Sequence, residues 1–320
     1  MTNFEGEIAA LVAAILWSIS SVVYGRVGAH IPPLHLNLIK GIVAIAFLVV
    51  TIVITGDFFP LLPPIPLCLL LLSGLIGVGL GDTAFLAAIN SMGARRVLLL
   101  ETLAPPITAV LAWIFLREGI NISAWCGILL TILGVAWVIS ERTLEIDGDG
   151  GERKRQKQKN SIFFLFPPLP PQWQGITFGL IAAIANAAGA VLSRAALADT
   201  NININPLWAA LLRLGAAVFV LIPGILRQQQ SRTSPIFPYW QSKKVILATC
   251  FAAFCGTYLG IWLQQVAIKF TAVGVASTLL QTSPVFVLPL SMLMGDKVSL
   301  RAIAGVLVAI AGIALLFYLK

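Results

Sequence analysis

Residues 98–117, LLLETLAPPITAVLAWIFLR, and the following stretch through Gly134 return later in the chain as STLLQTSP at 277–284 and its continuation through Gly312. A single shift of 178 residues places Pro106 on Pro284, Glu118 on Asp296, Gly127 on Gly305 and Gly134 on Gly312. One gap-free shift that matches four punctuation residues marks an internal repeat. The repeat extends backwards: Tyr24-Gly25-Arg26 matches Leu192-Ser193-Arg194, and Lys40 in LIKG matches Arg213 in LLRLG. The chain therefore reads as two copies of one unit, residues 1–140 and 173–320, joined by a linker at 141–172.

The 320 residues are 58% hydrophobic and only 11% charged. A soluble domain carries roughly 25% charged residues, so this chain lacks the polar surface that water requires. Apolar runs near the roughly 20 residues needed to cross a bilayer recur throughout. They place ten helical spans, at 8–28, 34–55, 66–90, 96–116, 121–140, 174–197, 205–226, 244–268, 272–294 and 299–319. The runs are continuously apolar and lack the alternation of barrel strands. The expected fold is an all-α integral membrane protein. Five spans per copy is an odd number, so the second copy enters the membrane in the opposite sense. That is the inverted repeat common in secondary transporters, whose substrate sites lie near midplane between the halves.

The net charge of +8 reflects topology rather than nucleic acid. Loops after odd-numbered spans hold Arg95, Arg96, Arg227, Arg232, Lys243, Lys244, Lys297 and Arg301, together with the linker's Arg142, Arg153, Lys154, Arg155, Lys157 and Lys159. Loops after even-numbered spans, with the C-terminus, hold only Arg117, Lys269 and Lys320. Basic residues accumulate on the cytoplasmic side, which puts the linker inside and both termini outside. The linker opens EIDGDGGE, turns to RKRQKQK and ends SIFFLFPPLPP. It reads as a solvated loop, or as a basic strip for anionic lipid head groups, with a Phe/Pro tail at the interface. The first residues carry Glu5 and Glu7 rather than a basic n-region, so the first span reads as an uncleaved anchor.

The stretch GDTAFLAAINSMGARRVLLLETLAPPITAVLAWIFLREGINISAWCGILLTILGVAWVI, residues 81–139, resembles the EamA-type repeat of the drug/metabolite transporter superfamily. The second copy keeps Ala272, Pro284, Asp296, Gly305 and Gly312. The resemblance implies ten spans and carriage of small metabolites, often outward across a bacterial plasma membrane. Three positions depart from the family pattern: Arg117-Glu118 replaces Gly-Glu, Asp296 replaces the second Glu, and Leu259-Gly260 replaces the Gly-Asp of the first copy.

Pro105 and Pro106 inside one span, and Pro284 inside its counterpart, lack N–H groups and crowd the carbonyls four residues back. Freed carbonyls at membrane depth are tolerated only inside protein or along a wet cavity. Paired prolines therefore point to a shared central cavity, or to packing kinks patched by Ser and Thr hydroxyls. Asp82 and Glu101 fall at similar depth on neighbouring spans, and Lys40 approaches from the same side, so a Lys40–Asp82 or Lys40–Glu101 pair is geometrically possible. A centrally placed charge costs about 2.5–3.5 kcal/mol on insertion scales, so each acid is either paired or functional. The functional reading is proton coupling and the other is a static ion pair. Arg213 reads as a carboxylate or phosphate ligand through its planar fork, or as a snorkelling side chain. Trp17, Ser18, Tyr24, Asn186, Tyr258, Trp262, Gln264 and Gln281 are candidate lining residues, with helix packing as the alternative. Trp113, Trp125, Trp137, Trp208, Tyr239 and Trp240 read as interface anchors, and Gly74, Gly77, Gly79 and Gly81 as close helix contacts.

These readings point to a secondary transporter, an exporter by resemblance, moving a small polar or amphipathic metabolite such as an amino acid by alternating access. No Walker-type motif occurs. The rival reading is a membrane-embedded lipid-modifying enzyme, for which His30 and His35, in one Pro-containing loop, form a poor catalytic set. Cys68, Cys126, Cys250 and Cys255 read as packing residues, so neither metal nor cofactor is expected. The expected partners are a small-molecule substrate and membrane lipid, with the chain a monomer or homodimer. Single cysteines placed in the linker of a cysteine-free variant should react with an impermeant thiol reagent only from the cytoplasmic face. Labelling of intact cells from outside would reverse the topology.

Overall fold

The computed structural model describes residues 5–28, 31–56, 62–117, 126–127, 129–130, 133, 137, 171–198, 203–230, 242–283, 286 and 300–318. Every regular element among them is helical. In chain order these are α1 (Glu5–Val27), α2 (Pro33–Thr55), α3 (Pro64–Ser73), a π-helical segment (Gly74–Gly81), α4 (Asp82–Met92), α5 (Ala94–Glu101) and α6 (Ala104–Leu116). The second half holds α7 (Pro171–Leu197), α8 (Pro206–Gln230), α9 (Lys243–Ala252), a second π-helical segment (Ala253–Leu259), α10 (Gly260–Phe270), α11 (Val273–Leu280) and α12 (Leu300–Tyr318).

Among the described residues, six rods are long and apolar enough to cross a bilayer: α1, α2, Pro64–Met92, Trp173–Leu197, Pro206–Leu226 and Lys243–Phe270. A rod of 23 residues such as α1 reaches about 35 Å, more than the hydrocarbon core of a bilayer at about 30 Å. Ala104–Leu116 and Ile303–Gly312 are shorter apolar helices. Most of the expected fifth span and the later part of the ninth lie outside the described residues.

Contacts at the helix ends fix their directions. Gly25 lies against Ile89 and Ala94, so the C-terminal ends of α1 and α4 meet and the two run parallel. At that same end α7 begins, with Gly175 against Ser91 and Met92, and it runs back so that Gly189 meets Gly77. The first helix of the second half is thus antiparallel to the first helix of the first half. The reciprocal contact obeys the same rule. α1 starts with Gly6 at Thr271 and passes Gly256 at Ser20, antiparallel to α9–α10. The two halves are inverted and exchange partners: α1 packs on the third rod of the second half, and α7 on the third rod of the first.

Small residues make this packing close. Ala9, Ala10, Ala13 and Ala14 of α1 are buried, while Ile8, Leu11, Val12 and Ile15 are exposed. That reverses the soluble pattern, because lipid removes any reason to hide bulky aliphatic groups and small residues let backbones approach. The expected glycine contacts are present. A Cβ on Gly74 would collide with the backbone of Arg213, and one on Gly77 would sit 3.4 Å from the Cα of Gly189.

The third rod of each half contains a π-helical segment, at positions related by the same 178-residue shift. The Asp82 N–H donates to the Gly77 carbonyl and the Gly260 N–H to the Cys255 carbonyl, each five residues back. Such wide turns leave carbonyls without their usual N–H partner and gather at functional sites. The two carbonyls at matched positions receive side chains instead: Asn37 Nδ2 donates to the Val78 oxygen at 2.9 Å, and Trp17 Nε1 to the Gly256 oxygen at 2.8 Å.

The expected fourth span is two helices rather than one kinked rod. α5 ends at Glu101, Leu103 N–H closes a turn on the Leu100 carbonyl at 3.0 Å, and α6 starts with its prolines in the first turn. There the missing N–H groups cost nothing, since first-turn N–H groups have no helical partner. His35, expected in a loop, is buried in the first turn of α2. Gly74→Ala should destabilise the protein by about 1–3 kcal/mol or more through overpacking. Gly215→Ala, whose Cβ would meet nothing within 4 Å, should leave the unfolding temperature unchanged or raised; equal effects of the two in a thermal unfolding series would contradict the packing.

Candidate functional site

A cavity with an empty volume of about 930 Å³, its mouth included, opens between the halves. The first half contributes Trp17, Ser20, Ser21, Tyr24, Lys40, Asp82, Phe85, Leu98, Glu101 and Thr108 to its wall. The second contributes Asn186, Arg213, Gly256, Thr257, Ile261, Gln264, Ser277, Gln281 and Ser283. Both helix interruptions reach it, through Glu101 at the end of α5 and Gln281 just beyond α11.

The charged groups are arranged in three pairings. Lys40 and Asp82 form a direct ion pair, which selects one of the two pairings open to Lys40. The ammonium also lies 5.8 Å from the centre of the Tyr24 ring. Glu101, 3% exposed, accepts a hydrogen bond from Asn186 Nδ2 at 2.9 Å on one oxygen. Its other oxygen, Oε1, is buried with no partner among the described residues. Arg213, 2% exposed, donates from Nη1 to Gln264 Oε1 at 3.1 Å, and its Nε has no partner among the described residues. The Glu101–Asn186 contact joins the two halves, whereas each of the others stays within one half.

The ring of Trp17 lines the cavity while its N–H fills the carbonyl released by the second π segment. Glycine at 260 makes this possible, because a Cβ there would lie 2.8 Å from the indole Cδ1. Position 260 is the counterpart of Asp82, so one half places an acid at this level and the other an indole. Tyr24 bonds Thr257 through hydroxyls 3.1 Å apart, a further contact between halves.

Trp17, Lys40, Asp82, Glu101, Asn186, Arg213 and Gln281 all face the same cavity. Pro106 does not line it; the residue is buried in the first turn of α6, next to the helix break. Tyr258 does not line it either. Its hydroxyl lies 2.7 Å from Thr51 Oγ1 and its ring packs with Phe47, Phe254 and Trp262. Pro284 lies outside the described residues. At the Leu280 carbonyl, four residues before Pro284, Ser283 Oγ donates at 2.9 Å, and Thr282 Oγ1 donates to the Leu279 carbonyl at 2.8 Å. Hydroxyl patching holds in that half. Among wall residues not anticipated, Ser20, Ser21, Ser277 and Ser283 were visible as serines interrupting apolar runs, whereas Phe85, Leu98 and Ile261 carry no signal distinct from packing.

A multi-pass membrane protein with inverted halves enclosing a polar cavity is the architecture of a carrier. Residues 4–140 and 173–318 both match the EamA-like transporter family. The chain belongs to that family, as a multi-pass integral membrane protein. No curated protein sequence matches it. A solved structure described as "Crystal structure of protein" aligns over 98% of this chain and 96% of that chain, with a TM-score of 0.70 at 14% identity, a likeness of fold.

Trp17→Phe keeps an aromatic ring and removes the N–H, leaving the Gly256 carbonyl without the indole donor. It should cost about 1–3 kcal/mol, the penalty of an unsatisfied buried acceptor. Thermal unfolding in detergent indistinguishable from wild type would show that the indole bond contributes nothing.

Proposed function

We propose that this protein is a secondary exporter of a small polar or amphipathic metabolite, such as an amino acid, working by alternating access. The observation that carries this reading is the cavity itself. Inverted halves enclose it, and its wall holds a carboxylate oxygen and a guanidinium nitrogen buried without protein partners among the described residues. A bilayer-depth protein gains nothing from such groups unless water or a solute meets them. The reading includes ten spans in two inverted sets of five, residence in a bacterial plasma membrane with the linker cytoplasmic, and function as a monomer or homodimer among lipids.

Alternating access requires contacts between halves that break and re-form. The Asn186–Glu101 bond joins α7 to α5, and the Tyr24–Thr257 bond joins α1 to the second π segment. Glu101 is the coupling group in this proposal. Its free oxygen faces the cavity wall, so a proton delivered there neutralises the carboxylate and alters the bond that bridges the halves. The Lys40–Asp82 pair takes up no proton in this proposal, since each partner already neutralises the other.

In proteoliposomes, the wild type should show counterflow of labelled metabolite accelerated by an imposed pH gradient. Glu101→Gln should assemble normally and keep exchange at equal pH, while the acceleration by the gradient is abolished. Unchanged proton dependence in that variant would remove Glu101 from the coupling role.

A further inference from the structure

Lys40 in α2 and Arg213 in α8 hold related places on the second long helix of each half, at an offset of 173 residues rather than 178, but the acids of the cavity have no such counterparts. The shift of 178 residues places Gly260 opposite Asp82 and Leu279 opposite Glu101. Asp82 is committed to Lys40 by a direct ion pair. Among the described residues, Arg213 donates from Nη1 to the neutral amide oxygen of Gln264, and its Nε has no partner. It lines the same cavity as Asp82. Lys40, Arg213 and Asp82 thus line one cavity, and the acid is bonded to only one of the two cations.

The bay that holds the guanidinium is built for it. A Cβ on Gly77 would stand 3.2 Å from Arg213 Nη2, and one on Gly74 would strike the Arg213 backbone. The glycines of the first π segment thus open the space in which the guanidinium sits. A buried cation without a counter-ion is costly, and a planar fork with free N–H donors is suited to a carboxylate or phosphate. Phe85, Leu98 and Ile261 supply an apolar wall in the same cavity.

We propose, resting on the transporter reading above, that Arg213 is the seat of an anionic group on the substrate, and that Asp82 is the internal anion that takes its place. In the described state Asp82 holds Lys40 and leaves Arg213 open to substrate. When the halves rearrange, Asp82 moves to Arg213 and the substrate anion is released. The transported compound therefore carries a carboxylate or phosphate on a small apolar skeleton.

The test uses the full chain in nanodiscs and four compounds on one branched skeleton: leucine, 4-methylpentanoate, 3-methylbutylamine and 3-methylbutyl phosphate. Quenching of tryptophan fluorescence reports binding, because Trp17 lines the cavity. At least one acid-bearing compound should bind at millimolar concentration and the amine should not; the better of the carboxylate and phosphate arms identifies the anion. Arg213→Gln, verified as folded by its unfolding transition, should weaken acid binding at least about tenfold, the loss of a charge-assisted hydrogen bond. Arg213→Lys, which keeps the charge but not the fork, should fall between the two. Asp82→Asn removes the competitor, so it should bind the acid more tightly than wild type while counterflow slows; a merely structural Asp82 would weaken binding.

The proposal is overturned if the amine binds as well as the acids, if no acid-bearing compound binds, or if folded Arg213→Gln binds them unchanged. It is overturned equally if Asp82→Asn, or Lys40→Met with Asp82→Asn where the single variant does not fold, weakens binding. Binding that follows these expectations with no counterflow of any compound would count against transport while leaving the anion seat intact.

Discussion

A polar group at bilayer depth must be met by protein or by water held inside protein, and the arrangement of this chain follows from that constraint. Backbone interrupted within a membrane span exposes carbonyls that lipid cannot solvate. Here the interruptions occur in matched places, two π segments and two breaks; Asn37 and Trp17 meet carbonyls of the π segments, and the Thr282 and Ser283 hydroxyls meet carbonyls at the second break. The interruptions that are met from inside the fold define where its interior lies. The cavity is the remainder of that interior, bounded by the same segments.

Close packing and polar exposure are linked in these segments. The sequence GLIGVGLG lacks side chains where α7 and α8 approach, so Gly77 meets Gly189 backbone to backbone and Arg213 finds room beside Gly77. Removing bulk serves two ends at once: it lets helices of opposite halves touch, and it makes space for a buried guanidinium. The second π segment, AFCGTYL, uses Gly256 and Gly260 to admit Ser20 and the indole of Trp17 from α1. The repeat preserves the backbone device while the side chains placed on it diverge.

That divergence makes the cavity asymmetric. Lys40 and Arg213 occupy related positions, but Asp82 and Glu101 both belong to the first half. A perfectly symmetric inverted repeat would present the same charges in either state of an alternating cycle. Asymmetric placement of acids gives the two orientations of an inverted repeat different charges around the same cavity.

Composition and the 178-residue shift by themselves determined that the chain is helical, embedded in lipid and internally repeated. Apolar content, span length and punctuation by proline and glycine are local properties, and lipid imposes them span by span. Charged residues deep in apolar runs were legible for the same reason: their insertion cost marks Lys40, Asp82, Glu101 and Arg213 wherever they pack. Only the tertiary structure decided which partner each one takes. Lys40 was within reach of two acids and chose Asp82; Asn186, with no charge to mark it, proved to be the residue that bridges to Glu101. Tyr258 and Trp17 look equally plausible as lining residues in sequence, yet one packs in an aromatic cluster and the other faces the cavity. Rotation of a helix about its own axis settles such cases, and that angle is fixed by contacts with distant helices rather than by neighbours in the chain.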